Sequence, residues 1–237
     1  MVSILIICGG FGVRLKNLYP EVPKPLICIN GRPFIEWIVL AFIARGFRHF
    51  VLATGHLSEK IESWSDGLDY KDCTFQVVKE TQQLGTGGAI LNALDCCNDE
   101  IIVTNGDSLL LFDFVQMMRY LDKYDMVIAA RYSSDCSRYG RLQISKNYLL
   151  EQFIEKQPGE GLINGGVYCF RKSSLSQFEE GSMISMETEI IPALLDSHAK
   201  IFVYDVGDAP FIDIGTPETL KDAGNFLLQN VCYWKAK

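Results

Sequence analysis

The chain has 237 residues, of which 48% are hydrophobic, so it can bury a substantial core and we expect one domain. Twenty-two basic and twenty-nine acidic residues give a formal net charge of −7, which disfavours broad binding to nucleic acid or to an anionic membrane. No apolar run reaches transmembrane length, and the first residues lack the pattern of a signal peptide.

Cysteine and histidine usage gives little sign of disulfides or of a metal centre built on these residues. The eight cysteines contain no C-x-x-C pair, and several lie inside apolar runs, which is typical of reduced, buried thiols in the cytosol. His49, His56 and His198 lack metal-ligand spacing, so we expect each to have a structural role.

The first predicted element is a buried strand at residues 4–8 that leads into a glycine-rich loop. Glycines allow backbone N–H groups to approach an anion closely, and Arg14 and Lys24 add positive charge. The dinucleotide-binding fingerprint needs a glycine at the position of Leu15, and the Walker loop needs Gly-Lys-Ser/Thr, so neither fits. The residues alone are compatible with a phosphate-binding loop or with an ordinary turn between a strand and a helix.

The motif Gly-Gly-x-Gly-x-Arg-Leu at residues 9–15, followed by Pro-Lys-Pro at 23–25, resembles the signature of the sugar-1-phosphate nucleotidyltransferases. These enzymes join a nucleoside triphosphate to a sugar phosphate. The family usually has a small hydroxyl residue where this chain has Val13, which leaves one phosphate contact open. The resemblance implies that the triphosphate is bound by Gly9, Gly10, Gly12, Arg14 and Lys24.

Strands and helices then alternate: a helix at 34–43, a strand at 49–54, a short helix capped by Ser58 and ending at Trp64, and a strand at 74–79. A second glycine cluster follows at 85–88, and we expect Thr86 to cap the helix at 89–94 and to present its N-terminus to a ligand. The family resemblance implies that Gln82, Gly85 and Thr86 contact the nucleobase. A plain capped helix start is the alternative.

A fourth strand, at residues 100–104, ends just before Asp107. Doubly wound sheets bind ligands at the carboxyl ends of their parallel strands, and carboxylate oxygens suit Mg²⁺. Asp107 resembles the metal ligand of the family, where it also contacts the nucleotide. No second aspartate follows at plus two, which argues against the Asp-x-Asp site of glycosyltransferases.

After a predicted helix at 114–124 and a strand at 126–130, the pattern changes to a hairpin at 138–144 and 149–156 with its turn at 146–147. The family resemblance implies that this region and the strand at 162–170 bind the acceptor sugar phosphate. Glu155 would hold sugar hydroxyls and Lys156 the sugar phosphate, although this pair taken alone fits a surface ion pair. The implied acceptor residues are Tyr139, Gly140, Glu155, Lys156, Asn164 and Gly165.

The last predicted elements are a helix at 187–195, a strand at 201–204 and a helix that starts with Thr216 as its cap and Pro217 as its first residue. Asp213, just before that helix, resembles the second metal ligand of the family. We expect Asp107 and Asp213 to meet and to hold one Mg²⁺ together with the triphosphate. No hexapeptide repeat follows, so we expect a bare catalytic domain.

The predicted fold class is α/β: a doubly wound, mostly parallel Rossmann-like sheet with an inserted antiparallel hairpin, of the nucleotide-diphospho-sugar transferase type. We expect a single domain over residues 1–237, with a nucleotide-binding part at about 1–130 and a sugar-phosphate part at about 131–237. Within the family, the motifs at 84–89, 138–140, 161–168 and 211–215 look most like those of the D-glycero-D-manno-heptose 1-phosphate guanylyltransferases.

The resemblance implies transfer of a nucleoside monophosphate, from GTP, to a manno-heptose 1-phosphate in the cytoplasm, with release of pyrophosphate. Nucleic acid and membrane are not expected as partners, and a homo-oligomer is left open. The alternatives are a uridylyl- or thymidylyltransferase acting on a hexose or amino-sugar 1-phosphate, a non-catalytic nucleotide-sugar-binding protein and, least favoured, a glycosyltransferase. The implied catalytic set is Arg14, Lys24, Asp107, Lys156 and Asp213, with Mg²⁺ as cofactor.

Overall fold

The computed structural model describes residues 1–9, 15, 18–155 and 157–234. Its strands are β1 (Ser3–Ile7), β2 (Cys28–Ile29), β3 (Arg32–Pro33), β4 (His49–Thr54), β5 (Thr74–Lys79), β6 (Glu100–Asn105), β7 (Ser108–Leu110), β8 (Met126–Ser133), β9 (Arg141–Ile144), β10 (Leu150–Ile154), β11 (Gly161–Arg171), β12 (Ile201–Asp205) and β13 (Phe211–Asp213). Its helices are α1 (Phe34–Ile43), α2 (Ser58–Asp66), α3 (Gly85–Ala93), α4 (Phe114–Met118), α5 (Ile191–Asp196) and α6 (Pro217–Gln229).

The main sheet is mixed and contains nine of these strands. On one side β1 lies between β6 and β4, and β5 extends beyond β4, with all of these pairs parallel. On the other side β11 runs antiparallel to β6 and β8, and β12 pairs in parallel with β8. β9 and β10 form an antiparallel hairpin attached to the first half of β11. The predicted α/β fold with an inserted hairpin is therefore confirmed.

Both faces of the sheet are covered by apolar side chains, as expected for a doubly wound fold. Successive residues of β1 point to opposite faces, so Ile4 and Ile6 belong to one hydrophobic cluster and Leu5 and Ile7 to the other. The first cluster also contains residues of α1 and α6, and the second contains residues of α3 and α5. The continuous apolar run of β1 thus reflects burial on both sides.

The predicted helix caps are correct at one site and wrong at two. Thr216 caps α6, since its side chain accepts a hydrogen bond from the N–H of Thr219 at 3.3 Å. Ser58 is inside α2, whose capping position is occupied by Leu57 in the left-handed region with a φ of 59°. Thr86 is likewise the second residue of α3, and its hydroxyl group is hydrogen-bonded to another segment instead of to the helix start.

Several predicted helices begin or end differently in the structure: α2 ends at Asp66 instead of Trp64, and α3 spans Gly85–Ala93 instead of 89–94. The helix expected at 114–124 is α4 followed by a 3₁₀ turn, Arg119–Asp122. The helix expected at 187–195 starts with a π-helical turn, Met186–Ile190, which continues into α5. Sequence reasoning did not foresee β7 and β13, which pair with each other in a small antiparallel sheet. This small sheet matters for the site because it joins two distant parts of the chain.

The structure bears on the predictions about cysteines, membrane segments and domains. All eight cysteines lie in the described residues, and none of them forms a disulfide. Within residues 1–9, 15, 18–155 and 157–234, no helix is both long and apolar enough to cross a membrane. The division at about residue 130 stays a prediction, although β6 and β11, one from each part, pair directly in the main sheet.

Candidate active site

Two adjacent cavities open at the carboxyl ends of the parallel strands, which is where doubly wound sheets bind ligands. The larger cavity has a volume of about 500 Å³, and its lining includes Asn105, the last residue of β6. The smaller cavity, of about 420 Å³, includes Ile7 at the end of β1 and Glu80 directly after β5. Thr86 lines both cavities. The two cavities therefore share a wall at the start of α3.

The structure brings most of the candidate residues to these cavities. Those lining the larger cavity are Lys24, Thr86, Asp107, Tyr139, Gly140, Glu155, Asn164, Gly165 and Asp213. Those lining the smaller cavity are Gly9, Gln82, Gly85 and Thr86. Gly10, Gly12, Arg14 and Lys156 lie outside the described residues. Residues implied to bind phosphate and metal thus share one cavity with those implied to bind the sugar.

Asp107 and Asp213 reach the larger cavity from two strands that pair with each other. Asp107 immediately precedes β7 and Asp213 is the last residue of β13, with Asp213 opposite Ser108 in the antiparallel register. The N–H of Ile214 donates a hydrogen bond to the carbonyl oxygen of Asp107 at 2.9 Å. Both carboxylates consequently line one wall region of the same cavity.

Each of these carboxylates has a cationic partner. The ammonium group of Lys24 forms an ion pair with Asp107. Oδ2 of Asp213 accepts hydrogen bonds from Arg138 at 2.7 Å and from the hydroxyl of Tyr139 at 3.2 Å. Burial raises the pKa of Tyr139, and the adjacent Asp213 carboxylate raises it further, so this hydroxyl remains a donor. The sequence analysis included Arg138 only within the motif at 138–140 and did not place it in the site.

The described lining of the larger cavity carries more negative than positive charge. Its acidic side chains are Asp107, Glu155, Glu187 and Asp213, and its basic side chains are Lys24 and Arg138. Four carboxylates against two cations would repel a phosphate group. An anionic ligand in this cavity would therefore need an additional cation, or basic residues from outside the described set.

The donor set suits a magnesium ion that is bound together with a ligand. Among the described residues, no group of three or more histidine, cysteine, aspartate or glutamate side chains is placed to hold a metal. Mg²⁺ usually takes one or two carboxylates and completes its octahedron with water and substrate phosphates. Asp107 and Asp213, as two carboxylates in one cavity, fit that requirement.

A carboxylate that sequence reasoning missed lies in the smaller cavity. Oε2 of Glu80 accepts a hydrogen bond from the N–H of Leu84 at 3.3 Å, and Oε1 would be 2.9 Å from a Cβ added to Gly9. Burial raises the pKa of the Glu80 carboxyl, and the hydrogen bond from Leu84 lowers it by less. The signal in the sequence was similar to that for Asp107: an acidic residue at the carboxyl end of a parallel strand, here the edge strand β5.

Gln82 and the two acceptor-side glycines have specific surroundings. The side-chain amide of Gln82 donates a hydrogen bond to the carbonyl oxygen of Gly181 at 2.9 Å, so this group is already engaged. A Cβ on Gly140 would be 2.3 Å from the ring of Phe153, and one on Gly165 would be 2.5 Å from Leu110. A larger residue at either position would force the neighbouring side chain to shift, because that side chain fills the space.

Comparison with known proteins gives consistent results along the chain. A family model described as Nucleotidyl transferase matches residues 3–230. The D-glycero-alpha-D-manno-heptose 1-phosphate guanylyltransferase of Campylobacter jejuni subsp. jejuni is 31% identical over 227 residues, which cover 95% of this chain and 99% of that protein. The enzyme of the same name from Aneurinibacillus thermoaerophilus is 33% identical over 223 residues, with 92% and 95% covered.

A solved structure agrees with these relatives. HddC from Yersinia pseudotuberculosis superimposes with a TM-score of 0.85 at 28% sequence identity, and the match covers 95% of this chain and 99% of that chain. The same protein complexed with GMP-PN superimposes with a TM-score of 0.84.

Proposed function

The chain belongs to the nucleotidyl transferase family, and we propose that it transfers the guanylyl group of GTP to a manno-heptose 1-phosphate, releasing pyrophosphate and forming a GDP-sugar. The observation that carries the proposal is the pair of cavities that share Thr86. One cavity holds a carboxylate in largely apolar surroundings and suits a nucleobase. The other combines Asp107 and Asp213 with the acceptor-side residues. The names of the two relatives above support guanine and heptose as the specific substrates.

The reaction needs positioning and charge neutralisation instead of a covalent nucleophile. A phosphate oxygen of the sugar phosphate bonds to the α-phosphorus of GTP. The bond from that phosphorus to the oxygen bridging to the β-phosphate breaks, and this oxygen leaves with pyrophosphate. Lys24, together with Arg14 and Lys156 by family resemblance, would neutralise the phosphate groups. These roles rest on the resemblance and, for Lys24, on its location in the larger cavity.

Asp107 and Asp213 would hold Mg²⁺ in the larger cavity. When bound, the ion supplies positive charge at phosphate oxygens, which the excess of carboxylates in this cavity makes necessary. Lys24 and Arg138 hold the two carboxylates at the cavity wall and partly compensate their charge. We infer that the free protein binds the ion weakly and that the triphosphate completes the site.

Glu80 supports guanine as the base. The Watson–Crick edge of guanine presents N1–H and the exocyclic amine as neighbouring donors, and a carboxylate has two acceptor oxygens in a matching arrangement. Uracil and thymine present one N–H between two carbonyl groups, and adenine presents an acceptor at N1. Each of these bases would leave an acceptor facing the Glu80 carboxylate, which is unfavourable in the half-buried surroundings that raise its pKa.

The acceptor sugar would occupy the larger cavity, in contact with Tyr139, Gly140, Glu155, Asn164 and Gly165. We also assign the protein to the cytosol, where nucleoside triphosphates are available and where its unpaired cysteines would stay reduced.

A substrate panel tests the proposal. GTP, ATP, CTP, UTP and dTTP are each combined with manno-heptose, mannose, glucose and N-acetylglucosamine 1-phosphates in the presence of Mg²⁺, and pyrophosphate release is measured. We expect release only when both substrates are present, with the highest kcat/KM for GTP and the heptose. A preference for UTP or dTTP with a glucose-type acceptor would overturn the assigned base and sugar. Nucleotide-sugar binding without any release would favour a non-catalytic binding protein.

A further inference from the structure

Glu187 accepts a hydrogen bond from Thr86, which lines both cavities, and neither the sequence motifs nor the proposed reaction assigns it a role. It lies in the π-helical turn Met186–Ile190 and lines the larger cavity. Its carboxylate accepts three side-chain hydrogen bonds, from Thr86, Ser185 and Tyr168. Among the described residues, no lysine, arginine or histidine forms an ion pair with it. Within the described part of the chain, the side chain is therefore held by hydrogen bonds and not by an ion pair.

One side of this carboxylate is tied to the start of α3. The hydroxyl of Thr86 donates to Oε2 of Glu187 at 2.6 Å and accepts a hydrogen bond from the N–H of Met186 at 3.0 Å. The N–H groups of Gly87 and Gly88 donate to the carbonyl oxygen of Ile184 at 2.9 and 3.0 Å. Since Thr86 also lines the smaller cavity, these contacts connect the turn directly to the proposed nucleobase site.

The other side of the carboxylate is tied to the floor of the larger cavity. The hydroxyl of Tyr168 donates to Oε1 of Glu187 at 2.9 Å, and the amide of Asn164 donates to the same hydroxyl at 2.5 Å. Asn164 is fixed further by the N–H of Gly166, which donates to its carbonyl oxygen at 3.0 Å. Tyr168 is only 1% exposed, and burial raises its pKa well above the ordinary value, so it remains a neutral donor.

We propose that Glu187 is a positioning residue that holds Thr86, at the nucleotide, and Asn164, at the acceptor, in one fixed geometry. This inference rests on the proposed function. Transfer requires the acceptor phosphate oxygen and the α-phosphorus to be aligned, and small displacements of positioned groups reduce rate strongly. A chain of hydrogen bonds that runs from one substrate to the other across the shared wall would maintain that alignment.

The chemistry of the chain explains why a carboxylate is needed at this position. Both oxygens of Glu187 act as acceptors, because Tyr168 donates to one and Thr86 and Ser185 donate to the other. A glutamine has nearly the same shape, but its amide nitrogen cannot accept a hydrogen bond. Glu187→Gln would therefore force either Tyr168 or Thr86 to turn its hydroxyl away, with little change in packing.

Glu187→Gln tests the inference, with Glu189→Gln as the matched control. Glu189 lies on the same turn but is exposed and does not line either cavity; its carboxylate accepts one backbone hydrogen bond, from Ser185 at 2.8 Å. For Glu187→Gln we expect kcat/KM for the sugar 1-phosphate to fall at least about tenfold, while the Kd for GTP stays within about twofold and Tm is retained. Glu189→Gln should match the unmodified protein in all three measurements.

Tyr168→Phe provides an independent test, because it removes the connecting hydroxyl and keeps the ring. It should produce the same selective loss for the acceptor, and the double variant with Glu187→Gln should lose little more than either single variant. Thr86→Ser, which keeps a hydroxyl, should preserve more acceptor kcat/KM than Thr86→Val.

Three results would overturn the inference, and they can be told apart. An active protein in which Glu187→Gln behaves like Glu189→Gln would refute the positioning role alone. A uniform loss of GTP binding, acceptor use and Tm in both Glu187→Gln and Tyr168→Phe would make the contacts merely structural. An unmodified protein that releases no pyrophosphate with any substrate pair would refute the proposed function, and this inference with it.

Discussion

Asp107 and Asp213 line one cavity because the short strands β7 and β13 pair in antiparallel register, with Asp213 opposite Ser108. Lys24 pairs with Asp107, and Arg138 donates to Asp213 at 2.7 Å. Two carboxylates that already have cationic partners attract a free divalent cation less than two unpaired carboxylates would. The geometry thus favours a site that is completed by the nucleotide.

We predict that Asp107→Asn and Asp213→Asn each abolish most of the metal-dependent turnover. The amide keeps the size of the side chain but removes the charge that we propose holds Mg²⁺, so kcat/KM should fall by on the order of 10²- to 10³-fold. Mn²⁺ binding in the presence of a non-hydrolysable GTP analogue, followed by electron paramagnetic resonance, should weaken in parallel. Asp208→Asn, at an exposed position in the turn after β12, is the control. Near-normal turnover and Mn²⁺ binding in Asp213→Asn would contradict the metal assignment.

We predict that Glu80→Gln changes the preference among nucleotides. An amide presents one donor and one acceptor, which match a carbonyl and the N3–H of uracil better than the two donors of guanine. The ratio of kcat/KM values for GTP and UTP should fall by a factor that corresponds to about 1–3 kcal/mol. Glu62→Gln, on the exposed face of α2, should leave the ratio unchanged. An unaltered ratio in Glu80→Gln would remove Glu80 from base recognition.

We predict that the same substitution raises the stability of the free protein at neutral pH. Burial raises the pKa of the Glu80 carboxyl above its ordinary value of 4.5, so the folded state binds this proton more tightly than the unfolded state. The stability from this group is complete below the ordinary pKa and is lost as pH rises through the raised pKa. At roughly pH 7 to 8, the Tm of Glu80→Gln should exceed that of the unmodified protein. The difference in Tm should shrink as the pH falls toward 4.5. A constant difference across this range would exclude the linkage.

We predict that Lys156→Ala impairs use of the sugar phosphate more than binding of GTP. The family resemblance implies that its ammonium group would meet the acceptor phosphate, and loss of one charge-assisted hydrogen bond costs about 1.5–3 kcal/mol. KM for the acceptor should rise accordingly while the Kd for GTP, measured by calorimetry, changes little. Lys146→Ala, in the exposed turn of the β9–β10 hairpin, serves as the control. Equal KM values for the acceptor in Lys156→Ala and Lys146→Ala would indicate that Lys156 does not bind the acceptor phosphate.

We predict that Gly140→Ala also acts on the acceptor side. The added methyl group would meet the ring of Phe153 at 2.3 Å, and this ring lines the larger cavity. Displacement of the ring into the cavity should raise KM for the sugar 1-phosphate about tenfold, while GTP binding is kept. Gly67→Ala is the control, since its methyl group would have ordinary contacts of 3.5 Å or more. An unchanged KM for the sugar 1-phosphate would refute this prediction. So would a crystal structure of the variant in which Phe153 moves away from the cavity.

The sequence alone was sufficient for several of the regular elements and for the order of the motifs. β4, β5 and α1 have the bounds expected from their apolar patterns and flanking residues. The cap at Thr216 was also correct, because a helix start of this type depends on residues three or fewer positions apart. Local steric and hydrogen-bonding preferences determine these features, so they can be recognised without knowledge of the remaining chain.

The tertiary structure alone decided which functional groups meet. The pairing of β7 with β13, the contact of Arg138 with Asp213 and the link from Thr86 through Glu187 to Asn164 all join residues far apart in the sequence. The hydroxyl of Thr86 does not cap α3 as predicted. The turn at Met186–Ile190 packs against α3, and the hydroxyl bonds there to the carboxylate of Glu187 and to the N–H of Met186. Such contacts depend on how the sheet and helices pack together, and no local pattern in the chain encodes that packing by itself.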